Sequence, residues 1–467
     1  MPVTVTFPHI DTLRTLCKKR KTDAYVVGGF LRDAYLDKHG TDVDLAVSHD
    51  ALALAKSFAR AIKGAFVLLD DEHGSARVVK RVDAVTWTYD LTDFRGKNIQ
   101  EDLKLRDFTI NTFCRSLLSD EDLSPKEAAR DLKLKTIRMV CANAFTDDPL
   151  RLMRAFSLSA QTGFKVQAST FAVIKKQAPL IINTAMERIR EEFFKVFHSP
   201  RAHQGILQLE DAGLLVRVIP QIEVMFDVEQ GGYHHLDVWR HSLQVLAGLE
   251  ALLAEVKVDQ RIAFYLREDI GGAHTREALL KFSALLHDIG KPDTRKKEKD
   301  RMTFHGHEHV GASIVRHVAK HVKLTVKERY WLEDAVRWHL RPGYLSNFKQ
   351  PSAKAVFRYL RDTKDEAVAV ALLAIADQRA TCGPKTTKAK TQHHESICRM
   401  IIAEYFKDKS KPTVARLLTG DDLIKKLKLK PSPLFAKILT HVEEEHALGR
   451  IKTKEEAMAL ARAIADK

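Results

Sequence analysis

Two aspartates one residue apart, Asp42 and Asp44, form the first pattern in the sequence that could do chemistry. They lie in "TDVDLAV", whose alternation predicts a strand, and residues two apart in a strand project to the same side. Two like charges held that close repel each other unless a cation lies between them. Gly28 and Gly29 precede them after a short apolar run, and such a turn into a predicted helix suits a bound anion. A phosphate-binding turn beside a metal-binding carboxylate pair is the arrangement that nucleotidyl transfer requires.

The segment "EDLKLRDFTIN" contains a second polar group in the same half of the chain. Its Arg106, Asp107 and Asn111 combine hydrogen-bond donors with acceptors. A mixed set of this kind could hold the ribose and a phosphate of a nucleotide. The segment therefore extends the candidate site beyond the carboxylate pair.

The segment "DDPLRLMRAF" could recognise a nucleobase. Asp148 and Arg151 are three residues apart, which places them on one face of a predicted helix, and Arg154 follows one turn later. A carboxylate and a guanidinium side by side offer an acceptor and donors in one plane, which could match a base edge. Two alternatives remain open: an ordinary salt bridge on a helix surface, or Asp147 or Asp148 as an N-cap.

Histidines and aspartates on several predicted helices form a third group, in the second half of the chain. The six residues are His241, His287, Asp288, His307, His339 and Asp377. Neutral imidazoles and carboxylates on facing helices make a nitrogen and oxygen site for one or two divalent transition metals. A single helical histidine is more often structural, but an adjacent His-Asp with four spaced partners favours a metal site. Further candidates nearby are His234, His235, His305 and His309.

The composition predicts a multidomain protein that binds a polyanion. The chain has 467 residues, more than one core can organise, so we expect roughly two to four domains. Lys and Arg number 76 against 61 Asp and Glu, and the net charge of +15 favours RNA or DNA over an anionic membrane as partner. The five cysteines are scattered, as in a cytosolic protein with reduced thiols.

No segment of the sequence predicts export or membrane insertion. The start, "MPVTVTFPHIDTL", has neither a basic stretch nor a long apolar core, so we expect no signal peptide. The longest apolar run, Ala367–Ala376, is too short to cross a bilayer and fits a buried helix. We therefore expect a soluble, cytoplasmic protein.

Strand signals are confined to the first part of the chain. The β-like runs "AYVVGG", "DVDLAV", "AFVLLD", "SARVVKR" and "VTWTYDLTDF" lie among predicted helices up to about residue 140. After Ala142 the strand signal disappears and helical periodicity dominates. The sequence thus predicts an α+β protein, with a mixed α/β head and a long helical body. The basic stretch "GPKTTKAKTQ" is a predicted loop or linker.

These segments resemble the class II tRNA nucleotidyltransferase and bacterial poly(A) polymerase family. The resemblance rests on "VVGGFLRD…TDVDLAV", "LRDFTIN", "DDPLRLMRAF…GF" and "ERIREEFFKVF", in family order over about the first 200 residues. It implies transfer of a nucleotide to the 3′-hydroxyl of tRNA, with Mg²⁺ held by Asp42 and Asp44. The other implied roles are triphosphate binding by Gly28, Gly29 and Arg32, ribose binding by Arg106, Asp107 and Asn111, recognition of the base of CTP or ATP by Asp148, Arg151 and Arg154, and support of that helix by Glu187 and Arg190.

The second half resembles the HD phosphohydrolase superfamily, specifically the HD domain appended to some tRNA nucleotidyltransferases. The resemblance covers roughly residues 232–383 and implies that the six histidines and aspartates above bind Ni²⁺, Mn²⁺ or a similar divalent ion. It implies a phosphohydrolase that acts on 2′,3′-cyclic phosphate or other phosphoesters. The lysine-rich tail resembles the C-terminal part of HD-bearing members, which implies contact with tRNA, whereas a solvated amphipathic helix pair is the alternative.

The domain prediction is a nucleotidyltransferase head at 1–140, a helical neck that binds RNA and nucleotide at 141–230, an all-helical HD domain at 231–383 and a helical tail at 384–467. The predicted function is addition or repair of the 3′-terminal CCA of tRNA with CTP and ATP, together with HD phosphohydrolase activity. Two alternatives remain. The segment "GKNIQ" is short for a family in which a longer one accompanies the switch from CTP to ATP, so the enzyme could add only CC, only A or poly(A). The other alternative is an RNA-binding HD hydrolase or regulator with an idle head.

Overall fold

The chain folds as two units with different architectures. The computed structural model describes residues 6–231, 236–272, 274–298, 301–383, 386–410 and 416–466. One unit runs from Met1 to Val218 and the other from Ile219 to Lys467. The first unit contains the predicted head and most of the predicted neck, and the second contains the last part of the neck, at 219–230, with the predicted HD domain and tail.

A mixed sheet organises the head. Its strands are β1 (Ala24–Val27), β2 (Asp42–Val47), β3 (Ala65–Asp70), β4 (Ser75–Val82), β5 (Val85–Asp93) and β6 (Cys114–Ser116), in the spatial order β3-β4-β5-β2-β1-β6. β2 and β5 run parallel, and the other neighbours are antiparallel. The helices are α1 (Ile10–Arg20), α2 (Gly29–Ala34), α3 (Ala51–Ile62), α4 (Ile99–Lys104) and α5 (Lys126–Lys133), with a 3-10 turn at Thr109–Asn111. Every β-like run named from the sequence is a strand, which confirms the mixed α/β head.

Apolar and other residues alternate along β2, so that one face of the strand packs into the core and the other holds the aspartates. Val43, Leu45 and Val47 are buried in the core of the head, with Phe58 of α3. Burying an apolar side chain of this size contributes roughly 1.5–3 kcal/mol. The residues between them must point to the other face of the sheet, which therefore receives the aspartates of this strand.

A helical segment completes the first unit. Its helices are α6 (Ala144–Asp147), α7 (Arg151–Thr162), α8 (Ala168–Gln177), α9 (Met186–His198), α10 (Ala202–Asp211) and α11 (Leu215–Val218), with a 3-10 helix at Ala178–Asn183. β7 (Thr136–Ile137) pairs in parallel with β8 (Lys165–Val166), a ladder too short to leave an alternating pattern in the sequence. Helix α9 packs along α7. This pairing brings the "ERIREEFFKVF" segment next to "DDPLRLMRAF".

The second unit is almost entirely helical. Its helices are α12 (Val238–Val256), α13 (Gln260–Arg267), α14 (Arg276–Leu286), α15 (Lys291–Thr294), α16 (His307–His321), α17 (Val326–Trp338), α18 (Arg341–Leu345), α19 (Ala353–Thr363), α20 (Ala367–Ala380) and α21 (Lys388–Lys409), with 3-10 helices at Pro220–Met225 and Lys364–Glu366. The apolar run Ala367–Ala376 is buried within α20, as predicted. Within the described ranges, no helix combines the length and the apolar character needed to span a membrane.

Two features of this unit depart from the sequence expectation. A short antiparallel hairpin, β9 (Lys296–Glu298) with β10 (Arg301–Thr303), interrupts the predicted all-helical domain. Its strongly charged sequence has no alternating apolar pattern to reveal it. The predicted linker "GPKTTKAKTQ" is partly helical, because α21 begins at Lys388 with the side chain of Thr387 as its N-cap. Residues 384–385 of that segment lie outside the described residues.

Three helices follow α21 within the predicted tail of residues 384–467, and we refer to these three helices as the folded tail; they share a small core. They are α22 (Gly420–Leu427), α23 (Pro433–Ala447) and α24 (Lys454–Ala465). Leu423, Ile438, Val442 and Ala457 are buried between them. Capping boxes begin both α22 and α24, since the sequence places a carboxylate three residues after a threonine at each start. The tail is therefore a folded three-helix element.

Glu444 joins the tail to the rest of the second unit. The residue lies on α23, is 2% exposed and accepts hydrogen bonds from Arg358 of α19 at 2.7 and 2.8 Å. Arg361 donates to the same carboxylate at 2.9 Å, and the Lys354 ammonium lies 3.2 Å away. Arg358 foremost, and then the other two cations, lower the pKa of Glu444 from 4.5 to about 2. A buried carboxylate with three cationic partners thus holds α23 against α19.

Replacing Glu444 with glutamine is expected to lower the free energy of unfolding by roughly 1–3 kcal/mol at pH 7, because the charged hydrogen bonds to its cationic partners are lost. The loss is not larger because the arginines that pair with Glu444 are partly exposed to solvent. Since the folded pKa lies below the ordinary one, the carboxylate's contribution is complete above about pH 4.5 and is lost as the pH falls toward 2. Urea unfolding of the wild type and the variant at pH 7 and about pH 3.5 measures this. Glu443→Gln, at a residue 41% exposed on the same helix, is the control. Equal stability at pH 7 would contradict the prediction.

Candidate active site and metal centre

Three carboxylates meet on one face of the head sheet. In the parallel register of β2 and β5, Asp44 lies beside Asp90. Asp42 lies beside Thr88, whose hydroxyl donates a hydrogen bond to it. Burial raises the pKa of Asp44, Arg106 opposes this shift, and Asp90 adds to it. A divalent cation would relieve both the burial penalty and the repulsion, so the chemistry of this donor set fits Mg²⁺.

Two arginines beside these carboxylates are themselves paired. Arg77 donates to both oxygens of Asp90, at 2.7 Å each, which fixes the plane of that carboxylate. Arg106 donates to one oxygen of Asp102 at 3.1 and 3.2 Å. These two ion pairs fix the positions of the arginine charges beside the carboxylates.

The turn between β1 and α2 brings the backbone close to the carboxylates. Gly28 has a φ of +76°, a conformation that side chains disfavour. A Cβ at this position would lie 3.1 Å from Oδ2 of Asp44 and 3.2 Å from Nη1 of Arg106. Arg32, on the helix that follows, donates to Oδ1 of Asn111 at 2.7 Å. The sequence-predicted phosphate turn therefore lies directly beside the carboxylate pair.

Asp107 fixes the side chains around it. The residue is 7% exposed and accepts hydrogen bonds from Asn111 Nδ2 at 3.0 Å and from Arg154 Nε at 2.9 Å. The backbone N–H of Phe108 donates to it at 2.8 Å. Burial alone would raise the pKa of Asp107, but Arg154 and Asn111 outweigh burial and lower it to about 2. The ionised carboxylate therefore holds an amide and a guanidinium in set orientations.

The candidate base-recognition residues are arranged differently from the sequence expectation. Helix α7 begins at Arg151, and Asp148 lies before it in extended backbone, so the shared helical face is wrong. The cause is the proline after the aspartate, since a residue before proline avoids the helical conformation. Arg151, 7% exposed, donates to the carbonyl oxygens of Ala144 at 3.1 Å and Leu105 at 2.8 Å. Asp148 Oδ1 accepts the N–H of Leu150 at 3.2 Å, within the turn that precedes α7, and the N-cap of that helix is Leu150.

Helix α9 reaches the same place through two side chains that the sequence did not single out. Nη2 of Arg188 lies 3.3 Å from Oδ2 of Asp148. Glu192, 4% exposed, accepts a hydrogen bond from Ser157 of α7 and lies 3.6 Å from Nη1 of Arg154. Of the two residues expected to support that helix, Glu187 is exposed in the first turn of α9, and Arg190 donates to the neighbouring Glu191.

Most of the predicted site residues of the first unit line one cleft of about 590 Å³. Its lining includes Gly28, Gly29, Arg32, Asp42, Asp44, Arg106, Asp107, Asn111, Asp148, Arg151 and Arg154, together with Asp90, Arg188 and Glu192. Residues separated by more than a hundred positions in the chain therefore surround one space. The cleft is lined by groups that suit the metal, phosphate, sugar and base of a nucleotide.

The second unit brings all six predicted metal-ligand candidates together. They fall into two groups, His241 with His287 and Asp377, and Asp288 with His307 and His339, and the ligand atoms within each group lie within 4.8 Å of one another. Asp288 faces both groups. Its Oδ2 is 3.2 Å from Nε2 of His287 and its Oδ1 is 3.2 Å from Nε2 of His307. The carboxylate is thus placed to link two adjacent cation sites.

The imidazoles are oriented as metal ligands require. Nδ1 of His287, His307 and His339 each donates to the backbone carbonyl three residues earlier, at 2.9, 2.8 and 2.6 Å. This hydrogen bond leaves the lone pair of Nε2 directed at the centre. Burial and the neighbouring histidines lower the pKa of His339 to about 3, so its ring stays neutral. Nε2 of His287 is buried and has no hydrogen-bond partner in the described part of the chain, so its lone pair is available to coordinate a cation.

The two further histidine candidates that the structure describes, His305 and His309, do not join these groups. His305 is exposed, and His309 has a side chain 65% exposed. His234 and His235 lie outside the described residues.

Comparison with known proteins matches three segments of the chain to family models. Residues 24–138 match the poly A polymerase head domain, residues 163–226 match the probable RNA and SrmB-binding site of polymerase A, and residues 238–382 match the HD domain. The three models match in the order of the predicted head, RNA-binding segment and HD domain, which confirms the resemblance seen in the sequence motifs.

Similarity to known proteins extends over nearly the whole chain. The A-adding tRNA nucleotidyltransferase of Deinococcus radiodurans is 29% identical over 95% of this chain and 96% of its own length. The CC-adding tRNA nucleotidyltransferase of Thermus thermophilus is 29% identical over 94% of this chain and 92% of its own. The CCA-adding enzyme of Thermotoga maritima, solved in complex with tRNA, shares the fold with a TM-score of 0.62 at 18% identity, over 98% of this chain and 96% of its own.

In the first unit, the residues missed from sequence differ in how they could have been found. Asp90 interrupts the apolar alternation of β5, but only the pairing of β5 with β2 shows that it lies beside Asp44. Glu192 had a local signal, because Ile189, Phe193 and Val196 on the same helix are buried at helical spacing and place it on the inner face.

In the HD domain, the missed residue is Lys291. Its ammonium lies 2.6 Å from Oδ2 of Asp288 and donates to Gln230 at 2.6 Å. Burial would raise the pKa of Asp288, but His287 and Lys291 hold it well below its usual range. The i, i+3 spacing of "HDIGK" was the available signal, since the lysine follows the aspartate by about one turn.

Proposed function

We propose that the chain adds nucleotides to the 3′ end of tRNA, using CTP and ATP to build or repair CCA. The observation that carries the proposal is the single cleft in which Asp42, Asp44 and Asp90 lie near the candidate base-recognition residues. The A-adding and CC-adding names of the relatives support the substrate class. The net charge of +15 suits a polyanionic acceptor.

In the proposed reaction, the 3′-oxygen of the acceptor forms a bond to the α-phosphorus of the nucleotide. The bond from that phosphorus to the departing pyrophosphate breaks, so no covalent enzyme intermediate is required. Mg²⁺ held by Asp42, Asp44 and Asp90 would neutralise the charge that develops at the α-phosphate and on pyrophosphate. Arg32 and the backbone at Gly28 would bind the triphosphate, and Asn111, fixed by its neighbours, would meet the ribose.

Base selection would rest on Asp148 and Arg151. The amino groups of cytosine and adenine donate hydrogen bonds, whereas uracil and guanine present a carbonyl at the corresponding edge. An acceptor from Asp148 therefore favours CTP and ATP over UTP and GTP. Arg151 has five N–H donors, and its bonds to Leu105 and Ala144 orient the guanidinium while leaving donors for a base.

Replacing Asp148 with alanine is expected to reduce discrimination between CTP and UTP, and between ATP and GTP, by roughly 10- to 100-fold. A lost hydrogen bond to a charged group is worth about 1.5–3 kcal/mol, and a site built on such bonds rejects partners that leave its groups unpaired. The measurement is kcat/KM for the four nucleotides on one tRNA acceptor. Unchanged ratios would reduce Asp148 to a residue that stabilises the turn before α7 and forms a surface ion pair.

The proposed activity is tested with tRNA that lacks its terminal CCA. Incubation with CTP alone should add two C residues, incubation with ATP alone should add nothing, and incubation with both should yield a complete CCA. The lengths and sequences of the products distinguish these outcomes. A matched RNA hairpin without tRNA structure is the control for template-free tailing. Absence of any tRNA extension would overturn the proposal.

A second candidate is addition of only part of CCA. The short "GKNIQ" segment is a capped turn between β5 and α4, in which Asn98 accepts the N–H of Glu101 at 3.0 Å and Glu101 accepts that of Lys97 at 2.8 Å. Relatives named for A addition alone and for CC addition alone support this candidate. In the same assay, a CC-adding enzyme would stop after two residues with both nucleotides present, and an A-adding enzyme would extend only tRNA ending in CC. The complete carboxylate set argues against an idle head.

For the HD domain we propose metal-dependent hydrolysis of a phosphoester. The six ligands and the linking position of Asp288 suit one or two ions such as Ni²⁺ or Mn²⁺, which would supply Lewis-acid activation of water and phosphate. Lys291 would hold Asp288 in orientation through their 2.6 Å contact. A 2′,3′-cyclic phosphate is the proposed substrate class, and its hydrolysis with each ion added to metal-free protein would identify the metal.

The remaining parts of the proposal follow from the tRNA substrate. We assign nucleotide chemistry to residues 1–140, RNA and nucleotide contact to 141–230, hydrolysis to 231–383 and tRNA contact to 384–467. Lysines of the folded tail would bind phosphates and carry little sequence information. With tRNA as the substrate, we propose that the reaction takes place in the cytoplasm.

A further inference from the structure

The two oxygens of the Asp148 carboxylate have different partners. Oδ1 accepts the N–H of Leu150 at 3.2 Å, which ties it to the turn that begins α7. Oδ2 accepts Nη2 of Arg188 from α9 at 3.3 Å. Both side chains line the nucleotide cleft. The orientation of the carboxylate in that cleft is therefore set at one end by backbone and at the other by Arg188.

Arg188 leaves room for a base at the same oxygen. A carboxylate oxygen has two lone pairs, so Oδ2 can accept a base amino group while still accepting the guanidinium. With both oxygens engaged, rotation of the carboxylate about its bond to Cβ is restricted. Without Arg188 only Oδ1 would be held, and Oδ2 could turn away from the plane of the incoming base.

The two guanidiniums of α7 that line the cleft are fixed to different groups. Arg151 is bound to backbone carbonyl oxygens, and Arg154 is bound to Asp107 and lies beside Glu192. Arg188 differs from them in exposure, since 56% of its side chain is accessible and Asp148 is 30% exposed. An ion pair this open contributes little to stability. Its position in the cleft therefore suggests a role in recognition rather than in folding.

We propose that Arg188 is a positioning residue for base selection, holding the Asp148 acceptor toward the amino edge of cytosine or adenine. The inference rests on the proposed nucleotidyl transfer and deepens it, because it names a residue on α9 that acts through Asp148. Arg188 does not touch the reacting phosphorus. Its loss should alter which nucleotide is chosen more than how fast the correct one reacts.

The experiment compares Arg188→Ala, Arg188→Lys, Asp148→Ala and the double variant. Arg188→Ala is expected to reduce the kcat/KM ratios of CTP to UTP and of ATP to GTP about 3- to 10-fold, through KM, with kcat for the correct nucleotide nearly unchanged. Arg188→Lys keeps a donor and should restore part of the ratio. In the double variant the ratio should equal that of Asp148→Ala alone, since the two residues would act as one unit.

Lys175→Ala is the matched control, because Lys175 forms an exposed ion pair of similar geometry with Asp211, at 2.9 Å, and does not line the cleft. Its ratios should equal those of the wild type. If Asp148→Ala collapses the ratios but Arg188→Ala leaves them intact, the role of Arg188 is overturned while the proposed base recognition stands. Effects of the two substitutions that add in full would also overturn it. If Asp148→Ala itself changes nothing, the recognition proposal and the inference fall together.

Discussion

Replacement of Asp44 with alanine is expected to lower nucleotide addition by at least about 100-fold, the scale on which enzymes lose rate when one charge-stabilising group is removed. The physical reason is that Asp44 lies between Asp42 and Asp90, so its loss removes the central member of the set proposed to hold Mg²⁺. RNA binding should be nearly unchanged, because the carboxylate would bind metal and not the nucleic acid. Incorporation of labelled CTP into tRNA and filter binding of the same tRNA measure the two effects.

Asp71→Ala is the matched control for this substitution. Asp71 is an exposed aspartate of the same head, in the turn after β3, and its removal should leave addition unchanged. A thermal unfolding curve close to that of the wild type would show that the Asp44 variant remains folded. Wild-type incorporation by Asp44→Ala at ordinary Mg²⁺ concentrations would contradict the metal assignment, and equal loss in Asp42→Ala would strengthen it.

Combined replacement of His287 and Asp288 with alanine is expected to abolish phosphoester hydrolysis by the HD domain and to leave nucleotide addition intact. Asp288 contacts both ligand groups, so its removal together with His287 should empty both cation positions. The ligands of the head and those of the HD domain share no residue. Hydrolysis of a 2′,3′-cyclic nucleotide, tRNA extension and bound Ni²⁺ or Mn²⁺ by elemental analysis give three independent measurements.

His309→Ala is the control for this pair, because its side chain is 65% exposed and belongs to neither ligand group. It should retain hydrolysis and bound metal. Since the double substitution removes buried groups, Asp377→Asn serves as a milder variant that keeps the side-chain shape and should weaken metal binding. Undiminished metal content in both variants would contradict the proposed centre. Loss of tRNA extension by a variant that remains folded would contradict the independence of the two sites.

Local patterns predicted the parts of the site that depend on neighbours in sequence. Asp42 and Asp44 share a face because a strand alternates, and Gly28 precedes them because the turn needs a conformation that side chains resist. The six HD ligands could be recognised by residue type, because an adjacent His-Asp follows an apolar run and four further candidates are spaced along the predicted helices. Asp148 and Arg151 were misplaced by the same local reasoning, because helical spacing was extended through a proline.

The sequence by itself determined the order of the elements, the residue types available for metal and phosphate, and the face that each strand turns to the core. These follow from backbone sterics and from burial of apolar side chains, which act over a few residues. Tertiary structure alone decided that Asp90 lies beside Asp44, that Asp288 divides its oxygens between two histidine groups, and that Arg188 meets Asp148. Strand register and helix packing set those contacts across tens of residues, and no local period encodes such distances.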